Sequence, residues 1–430
     1  MDRREFLKYQ LQGALYLAAG SAGLIWPAAR PARANSGSVN GIASADGRNR
    51  IVFISDLHMN LDASYSWLNK NTGALAQFLS DLYTREDVAE LVILGDLLDD
   101  WVCPVEDIPN TFKLILDADH NQGIVQALRA LCENGAIAVT YVVGNHDMLS
   151  WMDDNKGLIQ SYFPSLQIKS NEPGMAHWDK DNVIWAEHGH RYTMFNAPDT
   201  WSHSGSHLPL GYFISRLAAS SSLTSGQVVT TYELLDQYVK SPSTATGYGV
   251  RGELGGIWDD AFVIAVFNAI ALGTGHWPWT HFKMNGLDGY GSDPSVENTA
   301  FTFDTIVTDW PDNHNRVSST MAIWDDLGHL SGPANIIFEM PDYLKDKYPF
   351  TPRIILFGHT HQPEFRYHSG SVDTIYVNTG TWIDSTKKTT HYMTWAEIEV
   401  NDAGNGQKAY TVELWYRGES SPRHSGTIVA

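Results

Sequence analysis

Residues 91–100 read LVILGDLLDD, and the fold turns on how this stretch is taken. Leu91, Val92, Ile93 and Leu94 form a continuous apolar run, the pattern of a parallel strand buried on both faces. Gly95 permits a sharp turn where the strand stops. Asp96 is thereby delivered to the carboxyl end of the strand, where open α/β sheets collect ligands. The competing reading makes Asp96 the cap of a following helix. Asp100 suits that role better than a ligand's.

The same signature recurs on either side. Residues 50–55, RIVFIS, predict a strand that ends at Asp56-Leu57-His58. Residues 136–143 predict a third, ending at Gly144-Asn145-His146-Asp147, and residues 182–187 a fourth, ending at His188-Gly189-His190. Residues 353–357 run into Gly358-His359-Thr360-His361, and residues 375–377 into Asn378-Thr379-Gly380-Thr381. Helices are predicted over 73–83, with Leu75, Phe78, Leu79 and Leu82 on one face, and over 122–134, with Gly135 as the stop. Residues 394–400 and 410–416 alternate and predict an antiparallel edge pair. Strands alternating with helices predict an α/β layered fold.

Composition removes several function classes. The 430 residues are 43% hydrophobic and 12% aromatic, enough for a full core and too apolar for a disordered chain. A formal charge of −20 argues against a nucleic-acid binding stripe and suits cation recruitment. The two cysteines, Cys103 and Cys132, exclude a disulfide scaffold or a thiolate metal site and leave one bridge open.

Residues 1–34 read as a targeting segment. Arg3-Arg4-Glu5-Phe6-Leu7-Lys8 resembles the twin-arginine export motif of bacteria. A weakly apolar run over 15–26 follows, then Pro31-Ala32-Arg33-Ala34 with signal-peptidase spacing. The alternative is an uncleaved anchor. This reading expects passage through the twin-arginine machinery, a folded periplasmic or secreted product, and no stable membrane span after cleavage. Residues 35–49, rich in Ser, Gly and Asn, read as a flexible lead-in.

Gathered together, the strand-end residues are Asp56, His58, Asp96, Asn145, His188, His359 and His361. Carboxylate and amide oxygens with imidazoles, and no thiolate, suit borderline divalent ions such as Mn, Fe, Zn or Ni. Seven ligands exceed the needs of one ion and fit two that share a carboxylate. The order DLH, GDLLD, GNHD, HGH and GHTH resembles the calcineurin-like metallophosphoesterase family, over residues 50–190 and 352–382. The resemblance implies a β-sandwich of two mixed sheets flanked by helices, which replaces a plain doubly wound sheet. It also implies Asp56, His58 and His361 on one metal, Asn145, His188 and His359 on the second, and Asp96 bridging both with a water or hydroxide. His146 would contact the phosphoryl group and protonate the leaving oxygen, and Asp99 would orient His146. The implied activity is hydrolysis of phosphate mono- or diesters by that bridging hydroxide, on a phosphorylated small-molecule or amphipathic substrate. Two alternatives stand beside it: a pyrophosphatase of nucleotide-linked or lipid-linked diphosphates, and a non-catalytic binding module of the same fold.

The core is thus expected over 50–191 and 351–417, with 418–430 as a C-terminal tail. Residues 192–350 break the pattern and read as an insertion or cap, with helices over 208–219 and 256–272. Around the site, His190 reads either as a substrate contact or as a structural histidine, and Asn378 and Gly380 as loop support. His203 and His207 read as a solvated loop, and Asp117, Asp119, Asp325 and Asp326 as solvated acids. His276, Trp277 and Trp279 either line a substrate pocket or pack the cap.

Overall fold

The computed structural model of the chain describes residues 47–171, 174–199, 207–240, 259–285, 292–313, 352–370, 372–386 and 391–430. The expected leader, most of the lead-in, His203, Asp325 and Asp326 lie outside the described residues. Two mixed sheets flanked by helices make up the core, as the resemblance implied. The first sheet contains β1 (Arg50–Ile54), β2 (Val88–Leu94), β3 (Ala138–Val142), β4 (Gln167–Lys169), β10 (Thr394–Gly404), β11 (Gln407–Tyr416) and β12 (His424–Val429), in the order β12-β11-β10-β1-β2-β3-β4. The second contains β5 (Trp178–Lys180), β6 (Ile184–Ala186), β7 (Ile354–Phe357), β8 (Glu364–His368) and β9 (Thr374–Asn378), in the order β5-β6-β7-β9-β8.

Continuous apolar sequence makes the central strands. β1, β2 and β3 pair in parallel, and so do β6, β7 and β9. The sheets face one another: Phe53 on β1 meets Trp178 on β5 edge to face at 5.4 Å, and Phe365 on β8 stacks on His424 of β12. Helices α1 (Thr72–Tyr83) and α3 (Gln122–Asn134) bury the apolar stripes predicted for them, and α3 stops at Gly135 with φ 69°. Between them lies α2 (Phe112–Asp117), and α4 (Asp153–Tyr162) follows β3.

Three local expectations are corrected. β10 is no edge strand, since it sits between β1 and β11. The edge is β12, from residues expected to be a tail; its only buried apolar residue is Ile428, so no apolar run announced it. Asp100 caps no helix, because the chain stays irregular until α2 begins at Phe112.

The insertion contributes α5 (Leu210–Ser225), α6 (Thr231–Lys240), α7 (Asp260–Gly273), α8 (Val296–Thr302) and α9 (Ile306–Asn313). Asp259 caps α7 by accepting from the Phe262 amide, and Val263, Val266, Phe267 and Ile270 are buried, so α7 is a core helix. The hydrophobic core runs without a break from the strands into α5 and α7. Arg216 of α5 ties the insertion to the loop after β2. Its guanidinium donates to the carbonyls of Cys103 (2.6 Å), Pro104 (2.7 Å), Asp107 (2.6 Å) and Lys283 (3.0 Å). Among the described residues no helix is long and apolar enough to cross a membrane. Cys103 and Cys132 are both free and buried, without a bridge.

Candidate active site

The loops leaving β1 and β2 run side by side. The amides of Leu57 and His58 both donate to the Asp96 carbonyl at 2.8 Å, and the Asp99 amide donates to the Met59 carbonyl at 2.9 Å. Asp56 (φ 54°), His58 (48°), Asp96 (52°), His359 (71°) and His361 (58°) all hold left-handed backbone. Side chains two apart on a strand share a face, but these residues lie past the strand ends. Left-handed turns bring each pair together there instead. Such backbone is strained for non-glycine residues and concentrates at functional sites. Close approach is also built in: a Cβ at Gly144 would overlap the Asp96 carboxylate.

All seven predicted ligands converge and are buried. His58 Nε2 and His361 Nε2 lie 2.9 Å apart, with Asp56 Oδ1 3.2 Å from His361 Nε2. On the other side, His188 Nε2 and His359 Nδ1 each stand 3.0 Å from Asn145 Oδ1. Asp96 lies between the groups, its Oδ2 3.5 Å from His58 Nε2 and 3.1 Å from His188 Nε2. The outward nitrogens are committed elsewhere. His188 Nδ1 bonds the Leu94 carbonyl (2.7 Å), His58 Nδ1 the Asp99 carboxylate (2.9 Å), and His359 Nε2 the Thr193 hydroxyl (3.0 Å). That leaves one nitrogen of each ring facing the cluster, the arrangement by which outer partners orient metal-binding imidazoles. The donor set therefore fits divalent ions: Asp56, His58 and His361 form one candidate metal-binding group, and Asp56, Asp96 and His188 another.

Asp99 does more than the sequence disclosed. One oxygen binds His146 Nδ1 at 2.9 Å, as the resemblance implied, and the other holds His58. Asp147, passed over in the sequence, has its carboxylate accept from the amides of Leu97, Leu98 and Gly144 and so locks the loop that carries Asp96. Trp67 and Trp101 pack on His146, with ring centroids 5.2 and 4.7 Å away. Nothing in the residues around either tryptophan signalled this.

The electrostatics show charges in need of counter-charge. Burial alone would raise the Asp96 carboxyl, but His188, His146 and His58 hold it well below the usual range. Burial pulls His188 down, yet Asp96 and Asp56 push it up to about 10. His58 goes the other way, because burial outweighs the help of Asp99. His146 rises, since the Asp99 and Asp96 charges overcome its burial. A divalent ion takes the place of such protons when it binds.

The remaining predicted residues sort cleanly. His190 is buried with Nε2 on the Gly174 carbonyl (3.1 Å), burial with the neighbouring His188 pushes it down to about 3, and it does not line the cleft above the cluster. Asn378 donates to the Gly358 carbonyl and accepts from the Gly380 amide, supporting the loop. His207 is buried and bonded to the Asp199 carbonyl rather than solvated. Asp117 is exposed as expected. Trp277 and Trp279 stack on each other at the surface, 49% and 55% exposed, and do not line the cleft above the cluster. That cleft is walled instead by Trp67 and by residues of the insertion, among them Phe195, Ser215, Tyr232 and Leu235.

Residues 49–238 match the model of the calcineurin-like phosphoesterase family. With the sheets and strand-end loops described above, they define a calcineurin-like phosphoesterase domain. The chain is accordingly a metal-dependent hydrolase of phosphate esters. Among solved structures it is similar to a dimetal phosphatase from Danio rerio, at 11% identity over 88% of this chain and 98% of that one, with a TM-score of 0.33. It is also similar to GAP50, the anchor in the inner membrane complex of Plasmodium, at 11% identity over 88% of each chain, with a TM-score of 0.32. No curated protein matches the chain.

Proposed function

We propose that the chain hydrolyses phosphate mono- or diesters with two divalent ions, drawn from Mn, Fe, Zn and Ni. Asp56, His58 and His361 would hold one ion, Asn145, His188 and His359 the other, and Asp96 would serve both. The observation that carries this reading is the placing of Asp96 Oδ2 within 3.5 Å of the imidazole nitrogens of both groups. When bound, such a pair of ions activates water and neutralises phosphate oxygens. The chain's own residues supply the rest. His146, buried beside Asp99 with its pKa raised by the Asp99 and Asp96 charges, would give a proton from Nε2 to a departing oxygen. Asp99 fixes that imidazole through Nδ1. Phe195, Tyr232 and Leu235 narrow the cleft and exclude water around the reacting ester. We further propose export through the twin-arginine machinery, with residues 192–350 as a cap on the site; N-terminal sequencing of the secreted protein tests the first.

The decisive experiment measures hydrolysis of an aryl phosphate and a bis-aryl phosphodiester, with and without chelator, in the wild type and in Asp96→Asn. Activity that survives both chelation and Asp96→Asn would overturn the proposal. A panel of nucleotides, nucleotide sugars and lipid-linked diphosphates, run with Mn, Zn and Ni, then sets the substrate class.

A further inference from the structure

Trp67 stands in the loop between β1 and α1, and its position is fixed from behind. Its carbonyl accepts from the Asp384 amide at 2.8 Å. The Asp384 carboxylate in turn grips the amides of Asn69, Lys70 and Asn71. The indole belongs to a small apolar cluster with Tyr65, Val102, Ala219 and Ile383. It also meets the imidazoles of His58, His146 and His361, with ring centroids 4.8, 5.2 and 5.9 Å away. The residue is only 3% exposed, and it lines the cleft together with Asp96, Asn145 and His146.

Among the described residues the Trp67 Nε1–H has no hydrogen-bond partner. Buried indole N–H groups ordinarily find one, and a buried donor left unpaired is costly. Trp101, Trp151 and Trp382 also carry unpartnered Nε1 atoms, but of these four only Trp67 lines the cleft. We propose that this N–H is a substrate-binding donor, reserved for a non-bridging oxygen of the phosphate ester. The inference rests on the phosphoesterase reading of the site. A phosphate monoester brings three non-bridging oxygens; two cations would take up two of them, and His146 is assigned to the departing oxygen, which leaves one for a further donor. An uncharged donor in the wall binds such an oxygen without adding a charge to the site.

The test uses the full chain loaded with zinc, which leaves NMR signals sharp. Inorganic phosphate is titrated into 15N-labelled protein, and the indole N–H resonances are followed. The Trp67 signal is identified by its loss in Trp67→Phe, or in Trp67→Tyr should the first variant fail to fold. The expected result is a downfield movement of the Trp67 resonance that saturates with phosphate binding. In Trp67→Phe, inhibition by phosphate should weaken and KM should rise by about tenfold, with kcat changed less and zinc content unchanged. A Trp67 resonance that stays still while phosphate binds would overturn the proposal, as would a Trp67→Phe enzyme inhibited as strongly as the wild type. If the wild type binds no phosphate and cleaves neither an aryl phosphate nor a bis-aryl phosphodiester, the phosphoesterase reading fails and takes this inference with it.

Discussion

Arg216 in the insertion and Asp96 in the core are both buried charges, and they are treated differently. The donors of Arg216 are spent on backbone carbonyls of two loops and on the Tyr212 hydroxyl, so the protein itself completes its coordination. Asp96 accepts one backbone amide, that of His146 at 2.9 Å, and its other oxygen faces imidazole nitrogens. The first arrangement is closed and holds the fold together. The second is open and has a use for an ion. Burial of a charge therefore says little about function until the partners are counted.

This contrast is broken or sharpened most strongly at Asp96. Asp96→Asn is expected to lower kcat/KM by on the order of 10³-fold or more, with bound metal falling in parallel by elemental analysis. Asp99→Asn touches both His58 and His146, and outer partners of metal-binding histidines are worth roughly 10–100-fold. Steady-state kinetics alongside a metal titration should show loss in both turnover and metal affinity; a change confined to turnover would mean the bond to His58 does nothing. Arg216→Met reverses the pattern. It strands buried carbonyls and should cost about 3 kcal/mol or more of stability, read by denaturant melts, while activity per folded molecule persists.

Smaller effects test the closed regions. Glu90 on β2 is buried in the core, accepting from Thr140 Oγ1 (2.7 Å) and Trp178 Nε1 (3.0 Å). Burial raises its carboxyl above the ordinary value, although Thr140, Lys180 and Trp178 oppose it. A carboxyl raised by folding binds its proton more tightly in the native state. Its contribution to stability is greatest below the unfolded pKa and is lost as pH climbs through the folded one. Glu90→Gln should therefore raise the melting temperature at neutral pH by roughly a few degrees. The gain should vanish near pH 4, where the wild-type carboxyl is protonated in either state; a gain that persists there would refute the burial account. Last, Trp277→Ser and Trp279→Ser should leave kcat/KM for an aryl phosphate within about twofold, as exposed positions usually do.

The sandwich and the strand-end side chains that converge were legible where physics leaves a local trace. A short apolar run followed by Gly-Asp or Gly-Asn-His marks β2 and β3 and their loops without any tertiary knowledge. Elements lacking such a trace were missed. β4, β5, β8 and β12 are short or half exposed, with patterns such as EFRYH and HSGTIV that no apolar run distinguishes from loop. Asp147 escaped because two of its three amide partners, those of Leu97 and Leu98, lie some fifty positions away along the chain. Trp67 escaped for a similar reason, since its neighbours come from three separate loops. His207 was misjudged because Ser and Gly beside it suggested solvent, whereas its ring lies near Trp151 in the interior.

The left-handed residues have a consequence for how this chain can change. At Asp56, His58, Asp96, His359 and His361 the backbone disfavours side chains, by roughly 1 kcal/mol each. Glycine would relieve the backbone and remove the ligand; most other residues would keep the strain and remove it as well. Only a chain still using these side chains has reason to retain them. A descendant that abandoned the chemistry would gain stability by drifting to glycine or asparagine at these five sites, leaving the lost function inscribed as a pattern of small residues at intact strand ends. This chain shows no such drift at any of the five.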